Sequence, residues 1–233
     1  MRIAVLYDVH ANLPALQAVL EEIERRGVDR ILFGGDLAWG PMPSATMDAI
    51  LGLGDLALFV RGNADREVAT RADVNDGLEE NTAAVNVWCA DRLTDEQRTF
   101  LAEQPESVRL SLAGLGEILF CHGSPRSDEE PLKDDTPAER LKELFTEAGC
   151  PTIVCGHTHR PLDRRVSGVG RVINPGSVGL PQGPRGAYWA LFDDDDVRFE
   201  RTDYDFAAAA AAIEHTGVPL AGEFAEHILQ GAS

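Results

Sequence analysis

Short apolar runs alternate with helical periodicity in the N-terminal part of the chain. Residues 3–7, 30–33 and 57–60 are almost continuously apolar, a pattern typical of strands buried on both faces of a sheet. Between the first two runs, residues 13–26 carry apolar side chains at helical spacing, and Gly27 follows as the expected helix end. A strand–helix–strand alternation predicts parallel strands joined by right-handed connections. The pattern therefore indicates an α/β fold.

Further strands and helices are predicted along the rest of the chain. Strands are expected at residues 118–121 and 152–155, and helices at residues 44–53 and 137–148. Turn residues also indicate three hairpins. The hairpins pair residues 108–112 with 117–121, residues 162–166 with 171–174, and residues 187–192 with 197–201.

Two helical segments are predicted to lie outside this alternation. Residues 66–105 are a helical excursion, which Val85 and Trp88 are expected to pack onto the body of the protein. Residues 204–230 form an alanine-rich helical tail, on which His215 and His227 are expected to be ordinary surface residues. Because there is no repeat or linker, residues 1–233 are predicted to be a single domain.

Composition and charge narrow the possible functions. The formal charge of −18 argues against an extended nucleic-acid surface and against an anionic membrane as partner. A small anionic substrate stays possible because bound cations reverse the local field. The spacing of the four cysteines suits neither a zinc knuckle nor a disulfide framework, and the N-terminal sequence indicates neither a signal peptide nor a membrane span. We expect a cytoplasmic protein, and a homo-oligomer is compatible with the sequence.

Metal-binding residue types follow the predicted strands at their carboxyl ends. They are Asp8, His10, Asp36, Asn63, His122, His157 and His159. Open α/β sheets build their binding sites at these strand ends. A single histidine or Gly-Asp pair there is usually unremarkable, but five separate strand ends supply such a residue here. Neighbouring glycines at positions 35, 62, 123 and 156 allow sharp bends and a close approach of the backbone.

These spacings resemble the calcineurin-like metallophosphoesterases. That family's motifs are D-x-H, G-D, G-N, H and G-H-x-H, and all five occur here in order, over residues 1 to about 202. Within the family, residues 173–179 are similar to the small bacterial and archaeal phosphodiesterase branch. The resemblance implies a four-layer αββα sandwich, in which two mixed β-sheets lie face to face with helices outside.

The resemblance also implies two divalent metal ions. Asp8, His10 and His159 would bind the first ion, Asn63, His122 and His157 the second, and Asp36 would bridge the two. Such mixed nitrogen and oxygen ligands suit Mn, Fe or Zn. Asp36 and His122 would then act in catalysis through a metal-bound hydroxide, which attacks the phosphorus of a small phosphoester.

One position departs from the family pattern. Many relatives have G-N-H-[DE], whose histidine is thought to protonate the leaving group, but this chain has Ala64 there. Asp65 keeps its carboxylate without that partner and is expected to cap the helix that follows. We therefore expect better turnover of activated esters and diesters than of alkyl monoesters.

Each of the two candidate substrate contacts also has an alternative role. Asn12 either donates to a phosphate oxygen or caps the helix beginning near residue 13. Arg126 either clamps a phosphate or is a surface arginine. The Gly- and Pro-rich residues 174–186 are expected to rim the cleft.

A phosphodiesterase is the leading prediction, and three alternatives stay open. They are a phosphomonoesterase such as a protein phosphatase, a nucleotide pyrophosphatase, and a metal-bound scaffold with weak or no catalysis.

Overall fold

The computed structural model describes residues 1–232, which form two five-stranded mixed sheets and eight α-helices. The strands are β1 (Ile3–Leu6), β2 (Arg30–Phe33), β3 (Ala57–Phe59), β4 (Ser107–Leu112), β5 (Gly116–Cys121), β6 (Thr152–Val154), β7 (Leu162–Val166), β8 (Gly170–Asn174), β9 (Ala187–Asp193) and β10 (Asp196–Thr202). The helices are α1 (Leu13–Arg26), α2 (Pro43–Leu51), α3 (Asn63–Thr70), α4 (Glu80–Ala90), α5 (Asp95–Glu103), α6 (Ala138–Ala148), α7 (Phe206–Glu214) and α8 (Ala221–Gln230).

Each sheet combines three parallel strands with two antiparallel ones. The first sheet has the order β10-β9-β1-β2-β3, in which β1, β2 and β3 are parallel. The second has the order β4-β5-β6-β8-β7, in which β5, β6 and β8 are parallel. The three predicted hairpins are β4–β5, β7–β8 and β9–β10.

The alternation of side chains along the strands produces four layers. Val5 of β1 packs with Phe120 of β5 in the core between the sheets. Its neighbour Leu6 points the other way, into a core shared with α1, α2, α7 and α8. On the outer face of the second sheet, Leu119 packs with Leu144 of α6. The predicted αββα sandwich is thereby confirmed.

The first helix begins and ends where the sequence predicted. The side chain of Asn12 accepts a 3.2 Å hydrogen bond from the backbone N–H of Ala15, which caps the first turn. Gly27 ends the helix with φ of 61°, a left-handed conformation that suits glycine.

The helical excursion contains α3, α4 and α5 and packs onto the same core as α1. Val85 of α4 is fully buried there, and Trp88 is partly buried against that core. The strand predicted at residues 57–60 was expected to be buried on both faces, and that expectation is wrong. Strand β3 is only partly buried because it lies at the edge of the first sheet. Within residues 1–232, the helices are all too short or too polar to cross a membrane.

Candidate metal centre

The predicted metal ligands meet where the parallel strands of both sheets end. Asp8 and His10 follow β1, Asp36 follows β2, His122 follows β5, and His157 follows β6. Hydrogen bonds join these loops within each sheet and between the sheets. Within the sheets, the N–H of Asp8 donates to Gly35 O over 3.1 Å, and the N–H of Gly156 donates to His122 O over 2.8 Å. Between the sheets, the N–H of His157 donates to the Asp8 carboxylate over 3.1 Å. The site thus lies across both sheets.

Four of the predicted ligands form a first group. The ligand atoms of Asp8, His10, Asp36 and His159 all lie within 4.8 Å of one another. The Nε2 atoms of His10 and His159 are 3.0 Å apart. His159 Nε2 lies 3.5 Å from an Asp8 oxygen, and His10 Nε2 lies 3.6 Å from Asp36 Oδ2. A single cation can therefore be contacted by all four side chains.

A second group adjoins the first and shares Asp36 with it. Ligand atoms of Asp36, His122 and His157 also lie within 4.8 Å of one another. His122 Nε2 is 3.3 Å from Asp36 Oδ2, the same oxygen that faces His10. Asn63, the last predicted ligand, begins α3 next to the residue whose N–H binds Asp36. One carboxylate oxygen thus faces both groups.

Two buried polar atoms in the second group have no hydrogen-bond partner among residues 1–232. They are Nε2 of His122 and Oδ1 of Asn63. The 3.3 Å approach of His122 to Asp36 lacks the direction of a hydrogen bond. Leaving such atoms unpaired is costly in a protein interior unless another group binds them. Unpaired nitrogen and oxygen donors near a carboxylate are the kind of ligand that suits a divalent transition ion.

Backbone carbonyls fix the orientation of three of the four histidine rings. The Nδ1 atom of His10 lies 3.1 Å from Trp39 O, that of His122 lies 2.9 Å from Gly34 O, and that of His159 lies 2.7 Å from Leu180 O. A neutral imidazole that donates from Nδ1 presents a lone pair at Nε2. This is the arrangement that orients metal-binding histidines in proteins.

The backbone is strained at most of these positions. Among residues 1–232, eight non-glycine residues have φ in the left-handed region, and five of them are predicted ligands. The five are Asp8, His10, Asp36, His157 and His159. Such conformations cost about 1–3 kcal/mol each and are concentrated at functional sites. The fold holds these residues in conformations that a merely structural loop would avoid.

Asp36 is held in place by α3. The backbone N–H of Ala64 donates a 2.9 Å hydrogen bond to Oδ1 of Asp36, which leaves Oδ2 facing the histidines. Asp65 is buried and accepts hydrogen bonds from the backbone N–H groups of Asp36, Leu37 and Gly62. Asp65 was expected to cap a helix that follows it, but it is the third residue of α3, whose N-cap is Gly62. Its bond to the Gly62 N–H closes the first turn of that helix, and its other two bonds fix the loop that carries Asp36.

The charges of the site are strongly coupled. Burial acts to lower the pKa of His122, but the Asp36 carboxylate outweighs it and raises that pKa to about 10. Burial and the nearby His159 lower the pKa of His10 to about 3. Burial and the Asp36 carboxylate raise the pKa of Asp65 to about 7. A cation is thus favoured between Asp36 and His122.

Comparison with known proteins agrees with this geometry. Residues 1–196 match the calcineurin-like phosphoesterase superfamily domain. The chain belongs to that superfamily. Its members are phosphoesterases that use divalent metal ions, and the two clusters of potential ligands are consistent with metal binding.

Related proteins extend over nearly the whole chain. An uncharacterized protein of Methanocaldococcus jannaschii is 29% identical in an alignment 235 positions long that covers 93% of each chain. The crystal structure of a metallophosphoesterase from Sphaerobacter thermophilus is 28% identical, with a TM-score of 0.78, and the match covers 100% of this chain and 99% of that one. The phosphodiesterase YfcE of Escherichia coli is 24% identical in an alignment 204 positions long that covers 84% of this chain and 89% of that protein.

The two predicted substrate contacts are occupied by other partners. Asn12 is buried, caps α1 with its oxygen, and donates from Nδ2 to Gly179 O over 3.0 Å and to the Tyr204 hydroxyl over 3.2 Å. It therefore has no free donor for a phosphate, and the capping alternative describes the structure. The guanidinium of Arg126 donates to Glu147 and Glu143 of α6, as a surface arginine does.

Cavities border the candidate metal centre at two histidines. A cavity of about 1010 Å³ borders His157 and includes Lys133 and Arg160. A smaller one of about 210 Å³ borders His159, and Gln182 lines both cavities. As predicted, the glycine- and proline-rich loop reaches the rim of the cleft.

His227 was expected to be an ordinary surface residue, and that expectation is wrong. The C-terminal helix α8 folds back to the site, where His227 lines the smaller cavity together with His159. Its Nε2 lies 3.0 Å from Pro181 O, and burial lowers its pKa. Sequence periodicity placed His227 on a helix but carried no signal for where that helix docks.

Proposed function

We propose that this chain is a phosphodiesterase that uses two divalent metal ions. The observation that carries the proposal is the pair of adjoining ligand groups that share Asp36. Its carboxylate oxygen Oδ2 lies 3.6 Å from His10 Nε2 in one group and 3.3 Å from His122 Nε2 in the other. A shared carboxylate between two sets of donors is the arrangement expected of a two-ion phosphoesterase centre.

Each ion would be held by a separate set of side chains. Asp8, His10 and His159 would hold the first, Asn63, His122 and His157 would hold the second, and Asp36 would contact both. Mn, Fe or Zn suits these nitrogen and oxygen donors. Such ions, when bound, activate water at neutral pH and stabilise charge on phosphoryl oxygens.

The protein side chains position the metal ligands and do not themselves react with the substrate. Hydrogen bonds from Nδ1 of His10, His122 and His159 to backbone carbonyls orient their Nε2 atoms towards the centre. Asp65 accepts from the backbone N–H of Asp36, and the N–H of Ala64 donates to Asp36 Oδ1, so the Asp36 carboxylate is fixed relative to these rings. Ala64 offers no side-chain proton for a leaving group, so esters with good leaving groups are the expected substrates.

Space around the centre supports a diester rather than a monoester. A diester carries two organic groups on phosphorus, and a monoester carries one. Cavities border both His157 and His159, with Gln182 common to the two. Each could take one organic group. The name of the Escherichia coli relative also supports this substrate class.

Rates on three substrates test the proposal. With Mn²⁺ present, kcat/KM should be at least about tenfold higher for bis-p-nitrophenyl phosphate than for p-nitrophenyl phosphate, since the second cavity is used only by the diester. Dinucleoside polyphosphates should be poor substrates. A faster monoester would indicate a phosphatase, and a faster polyphosphate would indicate a pyrophosphatase.

A matched pair of variants tests whether hydrolysis depends on the shared carboxylate. Asp36→Asn removes the shared oxygen ligand and its charge with little change in volume. Its hydrolysis of the diester should be lost, while His215→Ala, on the exposed end of α7, should keep native rates. A native protein that binds metal but hydrolyses none of the three substrates would instead indicate a scaffold.

A further inference from the structure

A small pocket beside His159 has the character of a ring-binding site. We propose that this aromatic pocket, formed by Trp39, Leu180, Leu220 and Phe224, binds one aromatic ring carried by an ester oxygen of the substrate. The inference rests on the proposed phosphodiesterase function and names the substrate group that the smaller cavity beside His159 selects.

The location of the pocket ties it to the reacting phosphate. His159 belongs both to the first ligand group and to the pocket lining. Trp39 makes a second link, because its carbonyl accepts from His10 Nδ1 over 3.1 Å and its ring meets the His10 ring edge-on at 5.6 Å. A ring in the pocket would therefore lie beside a phosphate bound at the metal centre.

The walls of the pocket favour a flat apolar group. The rings of Trp39 and Phe224 are 5.6 Å apart at an interplanar angle of 59°, and Leu180 and Leu220 add aliphatic surface to the lining. Tilted aromatic neighbours of this kind stabilise a further ring through edge and face contacts. Two aromatic walls select a planar ring over a flexible chain.

The size and charge of the pocket restrict its occupant. Its volume of about 210 Å³ is below the roughly 300–1,000 Å³ of sites for drug-sized ligands. One ring fits, and a dinucleotide does not. Glu223 lines the pocket, and no lysine or arginine within residues 1–232 does. Apart from the phosphate at the metal centre, an anionic group on the substrate is therefore repelled from this pocket. The larger cavity at His157, by contrast, contains the cationic residues Lys133 and Arg160.

The pocket depends on a segment outside the shared domain. Leu220 and Phe224 lie beyond residues 1–196, the part that matches the superfamily. Helix α8 is anchored to the loop over the site: Arg185 donates to Leu229 O over 3.2 Å, and the N–H of Ala232 donates to Gly183 O over 2.9 Å. The C-terminal helix thus supplies a preformed specificity element to a common metal centre.

Binding of two phosphonates tests this inference without turnover. Phenylphosphonate and methylphosphonate share the anionic head and differ in the ring. Calorimetry on the Mn²⁺-loaded protein should show phenylphosphonate binding about tenfold more tightly. Leu220→Trp fills the pocket and Phe224→Leu removes one aromatic wall. Both should reduce that preference to about threefold or less and leave methylphosphonate affinity unchanged.

A control and the contrary results complete the test. Leu229→Ala changes an exposed apolar side chain on the same helix and should keep the native preference. Equal binding of both phosphonates by native protein would overturn the aromatic pocket alone, as would an unchanged preference in both pocket variants. If the native protein bound neither phosphonate nor inorganic phosphate, the proposed function itself would fail.

Discussion

The Nε2 atoms of His10 and His159 lie 3.0 Å apart although both rings use Nδ1 to contact backbone carbonyls. With Nδ1 protonated, each Nε2 carries a lone pair, and the two lone pairs face each other. A cation between them removes that repulsion. His122 Nε2 lies 3.3 Å from the Asp36 carboxylate, which stabilises positive charge there, whether as a proton on the ring or as a bound cation.

Metal binding should release a proton from His122. In the metal-free protein, the Asp36 carboxylate overcomes burial and raises the pKa of His122 to about 10, so this ring is protonated at pH 7. His10, with a pKa lowered to about 3 by burial, is already neutral there. Metal affinity should therefore rise with pH up to about 10, by about tenfold per pH unit for one displaced proton.

Calorimetry in two buffers of different ionisation enthalpy measures that proton. About one proton per chain should appear on binding of Mn²⁺ at pH 7. His122→Asn removes the titrating ring and should bring the number towards zero. An affinity that stays constant between pH 6 and pH 9 would contradict the assignment.

Replacing Asp65 should weaken metal binding without removing a ligand. Its carboxylate accepts the N–H groups of Asp36, Leu37 and Gly62, and the amide of Asp65→Asn would present hydrogens to some of those donors. Losing a group that orients a ligand costs about 10–100-fold in affinity. Titration with Mn²⁺ checks this, with the exposed Asp91→Asn as control. Equal affinities in the two variants would show that the loop is held by other contacts.

Gly62 should not tolerate a side chain. A Cβ there would lie 2.2 Å from Asp36 Oδ1, far inside van der Waals contact. Gly62→Ala should therefore displace Asp36, reduce hydrolysis, and lower the free energy of unfolding by about 1–3 kcal/mol. Gly222→Ala, at a position where a Cβ meets nothing within 4 Å, is the matched control. Denaturation curves and diester rates should separate the two variants.

Histidine at position 64 should raise activity on poor leaving groups. Ala64 donates only its backbone N–H, which holds Asp36, and that bond survives a change of side chain. A positioned general acid contributes about 10²–10⁴-fold where the leaving group needs a proton. Ala64→His should increase rates on alkyl esters more than on p-nitrophenyl esters. Ala64→Asn controls for size, and an equal effect on both ester types would argue against the missing acid.

Local signals explain what the sequence predicted well. The ends of helix α1 could be predicted from Asn12 and Gly27, because an N-cap side chain and a left-handed glycine are local features of the sequence. The strand-end positions of Asp8, Asp36 and His122 followed from apolar runs, since parallel strands bring their carboxyl ends to one edge.

Long-range contacts explain what sequence patterns did not predict. Asp65 was expected to cap a helix, but its bonds to Asp36 and Leu37 depend on how two distant loops meet. His227 lies in a regular helix whose docking beside His159 leaves no periodic signal. Asn12 offered two roles, and only its partners Gly179 and Tyr204, more than 160 residues away, decide between them.

Metal stoichiometry set against activity tests the two-ion centre most directly. Titrating metal-free protein with Mn²⁺, while following bound metal and hydrolysis of bis-p-nitrophenyl phosphate, should give full activity only when two ions are bound per chain. Asp36→Asn should bind fewer ions and lose at least about 10²-fold in activity, because it removes the oxygen that faces both groups. Well-folded native protein that binds no ion, or that reaches full activity with one, would contradict the account.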